Sequence, residues 1–175
     1  LKTEWDFLSL VKDVDSNLPI PTPHALNEDA NMAIYEFIEG SKISSDTITA
    51  SNISSAIQFI KTLNTPLMQD SAAHLPIASD AKFSVNDHID FVRDKITELQ
   101  PIKDQDTASA DLLTDMATSL MQIETRIIPM ATDKGFKIDE VLPQKERCLS
   151  PSDFGFHNTI KTKSGSLVFI DFEYA

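Results

Sequence analysis

Cysteine is nearly absent from this 175-residue sequence: Cys148 stands alone. One thiol can close no internal disulfide and build no thiolate zinc cluster, so a reducing, cytoplasmic setting fits. Positive charge is also scarce, with 15 Lys and Arg against 27 Asp and Glu and a formal net charge of −12. A surface that tracks phosphates needs clustered cations, so nucleic-acid and anionic-membrane partners are disfavoured. No run approaches the roughly 20 apolar residues that span a bilayer, and the first residues lack the basic-then-apolar order of a signal peptide. Glycine is rare: Gly40, Gly135, Gly155 and Gly165 are all there are, and no glycine-rich phosphate loop can be made from them.

What is present is ordinary for a folded domain, with 41% hydrophobic and 24% charged residues, so disorder is not the default. The chain opens on Leu1 and stops at Ala175 just past an apolar run, and it is expected to be cut at both ends. Trp5, Phe7, Leu8, Leu10 and Val11 recur at helical spacing and predict an amphipathic helix that stops before Asn17. Pro19, Pro21 and Pro23 then impose an extended connection. A strand over 32–37 follows, leading to a hinge at Ile38, Glu39 and Gly40, where glycine permits a turn.

Three helices come next. Ile53, Ala56, Ile57, Ile60 and Leu63 form an apolar stripe from residue 51, ended by Asn64 and Pro66. Residues 65–82 read as a loop. Ser84 with Asp87 resembles a capping box with a shortened acid, ahead of the stripe Val85, Ile89, Val92, Ile96 and Leu99 and the stop at Pro101. The third helix spans about 108–130, with Leu112, Leu113, Met116, Leu120, Ile123 and Ile127 on one side, its methionines as core filler and Pro129 ending or kinking it. Two short strands, 159–161 and 167–170, join across Thr162, Lys163, Ser164 and Gly165 as a hairpin. The order predicts an α+β fold rather than a wound parallel sheet.

The chemistry lies in LSPSDFGFHNTIKTKSGSLVFIDFEY, residues 149–174. Phosphoryl transfer needs a carboxylate to orient an attacking hydroxyl and accept its proton, and oxygen ligands for the magnesium that bridges the nucleotide phosphates. Asp153 is followed by Asn158 at the Asp-x4-Asn spacing of kinases, and the second strand of the hairpin delivers Asp171. Asp153, Phe154 and Gly155 also spell Asp-Phe-Gly, the metal signature of protein kinases. That assignment fails, because Asp133 and Asp139 lack an asparagine five positions on.

With those residues in hand, the segment resembles the catalytic loop and metal strand of the aminoglycoside phosphotransferase and choline kinase-like family, and YEFIEG, residues 35–40, resembles its hinge. The resemblance implies a protein kinase-like fold: residues 1–38 as a remnant of the small lobe, and 39–175 as a helical large lobe carrying the catalytic loop and metal hairpin. It implies an ATP- and Mg2+-dependent transfer of the terminal phosphoryl group to a small-molecule hydroxyl, with aminoglycoside, choline, sugar and other alcohols open as acceptors. Asp153 is then the catalytic base, and Asn158 and Asp171 are the metal ligands. Tyr35 takes the gatekeeper position, backbone groups of Glu36 and Ile38 meet adenine, and Glu4 pairs with a phosphate-binding lysine whose strand precedes Leu1. Two departures stand out: Pro151 replaces the family's histidine two residues before the aspartate, and no glycine loop is present. They motivate the alternative of a catalytically inactive kinase-like binding module.

Plainer readings compete. Asp153 and Asn158 could simply cap a turn, as these residues do, and only Asp171 tips the balance toward function. Ser150, His157 and Asp171 could be taken for a nucleophilic triad, but Ser150 precedes a proline and sits in no Gly-x-Ser-x-Gly elbow. His24, His74, His88 and His157 are scattered without zinc-site spacing. His157 is either close to the transferred phosphate or a loop hydrogen-bonding residue. Glu36 and Glu39 read as solvated hinge carboxylates, and Asp104, Asp106 and Asp111 as solvent-facing charge.

Overall fold

The structure, a computed structural model, describes residues 1–78, 80–102 and 106–173; Asp104 and Tyr174 fall outside them. It is a mixed α+β chain with small antiparallel sheets, as the order of elements predicts. The chain divides into two compact units, Leu1–Asp80 with Cys148–Ala175, and Ala81–Arg147. The lobe boundary expected at residue 38 does not coincide with these limits.

The first unit opens with α1 (Lys2–Val14), which buries Phe7, Leu8, Leu10 and Val11, the stripe anticipated from their spacing. The proline-rich connection does more than extend the chain. It leads into a strand the sequence reading missed, β1 (Pro23–Asn27), paired antiparallel with β2 (Met32–Tyr35). Pro23 is tolerated because it occupies the strand's first position, where the register is irregular and a missing N–H costs nothing. The strand expected over 32–37 thus ends at Tyr35.

β3 (Gly40–Lys42), β4 (Thr159–Thr162) and β5 (Leu167–Phe169) form the second sheet in that order. The hairpin is as expected, with Gly165 at φ 88 closing its turn, a value that favours glycine. Gly40, read from the sequence as permitting a turn at the hinge, has a close neighbour in the second sheet. It is the first residue of β3, and a Cβ there would stand 2.4 Å from the Lys161 carbonyl oxygen and 2.6 Å from Ile160 Cγ2. Glycine is needed because β4 comes too close for any side chain.

α2 (Ala50–Leu63) begins at a full capping box, in which Thr49 accepts from the Asn52 N–H and Asn52 accepts from the Thr49 N–H. Its buried residues are Asn52, Phe59 and Leu63. Ile53 and Ile57, placed on the inner stripe by periodicity, are exposed. The helix is turned so that Phe59, a larger apolar surface than either isoleucine, enters the core. The presumed loop over 65–82 contains α3 (Pro66–Ser71) and a 3-10 turn, Ala72–His74. Pro66 starts α3 because its fixed φ suits a first helical position, and Met68 is buried beneath it. The core of this unit joins α1, Leu18, Ile20, Phe59, Leu63, Met68, Leu167, Phe169 and Phe172.

The second unit is built on α4 (Val85–Glu98) and α5 (Thr107–Asp133). Ser84 caps α4 by accepting from the Asp87 N–H at 3.0 Å. Asp106, expected to be mere surface charge, caps α5 by accepting from the Ser109 N–H at 2.7 Å. Pro129 neither ends α5 nor marks its last residue: the helix continues to Asp133. Its stop is at Gly135, φ 78, where Phe136 N–H bonds back to the Ala131 carbonyl and Gly135 N–H to that of Thr132, the Schellman arrangement that glycine makes possible. Ile89, Ile96 and Leu120 form a small core with Val85 and Met116 beside it. Met121 and Met130 are exposed rather than core filler. Between the helices runs an open apolar groove of about 620 Å3. Among the described residues, no helix is long and apolar enough to cross a membrane.

Candidate functional site

Two Asp-Phe steps, Asp153-Phe154 and Asp171-Phe172, organise the first unit's candidate site. Phe154 stacks on Phe59 with ring centroids 5.5 Å apart and meets Phe169 at 4.9 Å. Phe172 stacks on Phe7 at 4.9 Å and reaches Phe59 at 6.3 Å. Each aspartate is therefore followed by a ring inserted into one aromatic cluster, and each leaves its own carboxylate on the exposed side of the backbone. Such ring pairs add about 0.5–1.5 kcal/mol beyond simple burial, which makes the cluster a firm base for both segments.

The loop carrying Asp153 is tied down at both ends. Upstream, the Asn64 side chain at the end of α2 donates to the Leu149 carbonyl at 3.1 Å and accepts its N–H at 2.9 Å. Asn64 served in the sequence only as a helix terminator, and no local pattern could reveal a partner 85 residues away. Pro151, standing where the resembled family has histidine, is buried. Phe154 N–H bonds to the Ser152 carbonyl, closing a three-residue turn about Asp153. Downstream, the Asn158 N–H bonds to the Gly155 carbonyl at 3.1 Å and Thr159 Oγ1 donates to the same oxygen at 3.0 Å.

Asp153 and Asn158 are brought together. Asn158 Nδ2 donates to the Asp153 carbonyl at 3.1 Å and lies 3.5 Å from its Oδ2. His157 Nε2 stands 3.3 Å from the same Oδ2. Asp171 follows directly on the pair: the Ile170 N–H bonds to the Asn158 carbonyl at 2.9 Å, extending the β4–β5 ladder by one step. Its carboxylate is exposed, and among the described residues no hydrogen bond or ion pair joins it to Asp153 or Asn158. Among the described residues, three non-glycine residues have positive φ: Asn31 at 49, Ser152 at 55 and Asp171 at 70. Asn31 serves a hairpin turn, where asparagine is at ease. Ser152 and Asp171 flank the site on its two arms, and strained backbone of this kind gathers at functional positions.

The segment from Tyr35 to Gly40 has its own bonding. The Glu36 N–H bonds to the Thr22 carbonyl at 2.8 Å, while its carboxylate accepts from Thr22 Oγ1 at 2.8 Å and Thr22 N–H at 3.1 Å. The Thr22 hydroxyl thereby holds the Glu36 carboxyl below its ordinary value. Glu39 pairs with Lys163 of the hairpin turn. Both glutamates are exposed, as expected, and each also has a partner. Among the described residues, the Glu36 carbonyl and the Ile38 N–H have no hydrogen-bond partner. The Tyr35 hydroxyl is buried and has no hydrogen-bond partner among the described residues, and burial, followed by the charge of nearby Glu4, pushes its ionisation up to about 12. Trp5 lies 6.1 Å from its ring. Glu4 and Tyr35 thus form a second cluster, with no bond to Asp153 among the described residues.

Among the described residues, no three side chains of His, Cys, Asp and Glu gather as a metal site. Asn158 and Asp171 both offer the oxygen atoms that a hard dication prefers. Comparison of the chain with protein-family models, with curated proteins and with solved structures finds no match in any of the three.

Proposed function

We propose that the chain belongs to an ATP-dependent phosphotransferase of the protein kinase-like type, acting on the hydroxyl of a small molecule. The observation that carries this reading is the placement of Asp153, Asn158 and Asp171: one loop and one strand end, anchored on the same phenylalanine cluster, with two strained residues at its edges. A turn-capping role accounts for Asp153 and Asn158 but gives no reason for a left-handed Asp171 at the adjoining step of the ladder.

In this reading Asp153 orients the acceptor hydroxyl and takes its proton as the new O–P bond forms and the bond to the ADP oxygen breaks. Asn158 Oδ1 and the Asp171 carboxylate hold Mg2+, which when bound neutralises charge on the nucleotide phosphates. The Glu36 carbonyl and Ile38 N–H supply an acceptor and a donor for adenine, Tyr35 borders that position, and Glu4 is the acid that would meet a phosphate-binding lysine. Catalysis is mostly positioning and charge neutralisation.

The test is ADP release from MgATP with a panel of choline, a simple sugar and an aminoglycoside. Asp153→Asn should lower turnover by about 10²- to 10⁴-fold, the range of a general base, with the fold intact by circular dichroism. Asp171→Ala should also weaken Mg2+-dependent ATP binding. Unchanged turnover in both variants would overturn the proposal.

A second reading, a kinase-like binding module without turnover, draws on the buried Pro151 at the histidine position. Calorimetric titration with MgATP that yields heat of binding while no acceptor yields ADP would favour it.

A further inference from the structure

The Asp153 loop contains a histidine and a glycine that the phosphotransfer reading does not use, and the structure puts them in contact. His157 Nε2 is 3.3 Å from Asp153 Oδ2, both side chains being more than half exposed at 61% and 66%. Gly155 is extended, with φ −174, so its backbone asks for no glycine. Space asks for one: a Cβ at 155 would lie 2.6 Å from both Nδ1 and Cε1 of the His157 ring. The imidazole therefore lies directly over the Gly155 Cα, and any side chain there would push it away. The Asn158 amide lies on the same Oδ2, at 3.5 Å, so two nitrogens address one carboxylate oxygen and neither contacts Oδ1.

We infer that His157 is a positioning residue for Asp153: seated over Gly155, it fixes Oδ2 and turns Oδ1 outward to receive the acceptor hydroxyl. This rests on the phosphotransfer reading and goes beyond it in giving the loop histidine and glycine a joint task. Stability alone gives no reason for the arrangement, because exposed ion pairs contribute little to folding. A carboxylate free to rotate, by contrast, forfeits the near-attack geometry, and misplacement by an ångström costs about 10²-fold in rate.

Three variants of the full chain, assayed as ADP release from MgATP with the acceptor panel, test this. His157→Ala should lower kcat by about 10²-fold while leaving the KM for ATP unchanged, since nothing it touches is assigned to the nucleotide. His157→Gln, whose amide can reach the same oxygen, should restore most of the loss. Gly155→Ala, which leaves His157 in place but displaces its ring, should lower kcat in the same way. Wild-type kcat in His157→Ala, or no rescue by His157→Gln, would overturn the inference. Asp153→Asn and Asp171→Ala run alongside separate the two claims: if they abolish turnover while His157→Ala does not, only the role of His157 fails, whereas if both retain turnover the phosphotransfer reading fails.

Discussion

A side chain with a Cβ occupies left-handed backbone at a cost of about 1–2 kcal/mol, less for aspartate than for alanine and close to nothing for glycine. Asp171 sits at φ 70, so its identity sets function against stability. Asp171→Gly should raise stability by roughly 0.5–1 kcal/mol and Asp171→Ala should lower it by a similar amount, read from urea midpoints, and both should lose Mg2+-dependent ATP binding. An alanine variant more stable than the glycine one would show that the backbone exerts no such demand. Tyr35 is a second residue held against its ordinary chemistry. Its phenol ionises near 12 in the fold against a usual 10.0, so the folded state favours the protonated form. That contribution is whole below pH 10 and is lost as pH rises through 12. Alkaline titration followed by phenolate absorbance should show one late group that disappears in Tyr35→Phe. Glu4→Gln should lower it only in part, because a neighbouring negative charge no longer opposes the phenolate while burial, the larger cause, remains. A Tyr35 signal unmoved by Glu4→Gln would remove Glu4 from its surroundings.

Elements follow the sequence where local pattern decides and depart from it where distant packing does. α1, the Ser84 cap of α4 and the β4–β5 hairpin were legible because periodicity, a capping serine and a turn glycine act within a few residues. The inward face of α2 was not, since Phe59 turns inward to meet Phe169, at 4.5 Å, and that ring is far away in the chain. β1 was hidden by prolines that argue against strands, and α3 by a stretch without a full helical period. In the candidate site, the Asp-x4-Asn spacing and the strand leading to Asp171 were legible, whereas the Asn64 clamp on Leu149 and the His157–Gly155 packing depend on folded proximity. Gly40 belongs to the same class. In the sequence it reads as a turn-permitting glycine, and the closeness of β4 to its Cα is not visible there. Gly40→Ala should therefore destabilise the first unit by about 1–3 kcal/mol, as overpacking does, with a lowered denaturant midpoint. A substitution without effect would mean that β3 can move away from β4 at no cost.

At the scale of the molecule, a net charge of −12 sets the background against which any cation site must be judged. Dications gather loosely around such a surface, and that attraction weakens as salt shortens the screening length to about 8 Å at physiological ionic strength. A site built from Asn158 and Asp171 with nucleotide phosphate differs in being local and in requiring ATP. Its charge sits in the first unit, whose core joins α1, α2 and β5 around the aromatic cluster, so the residues that would hold the metal are backed by the hydrophobic core of that unit. The direct measurement is the broadening of backbone amide resonances by Mn2+ with ATP at physiological salt, compared with Mn2+ alone. Broadening centred on residues around Asn158 and Asp171, dependent on ATP and abolished by Asp171→Ala, is the expected result. Broadening spread over the acidic surface irrespective of ATP, or centred away from those two residues, would contradict it.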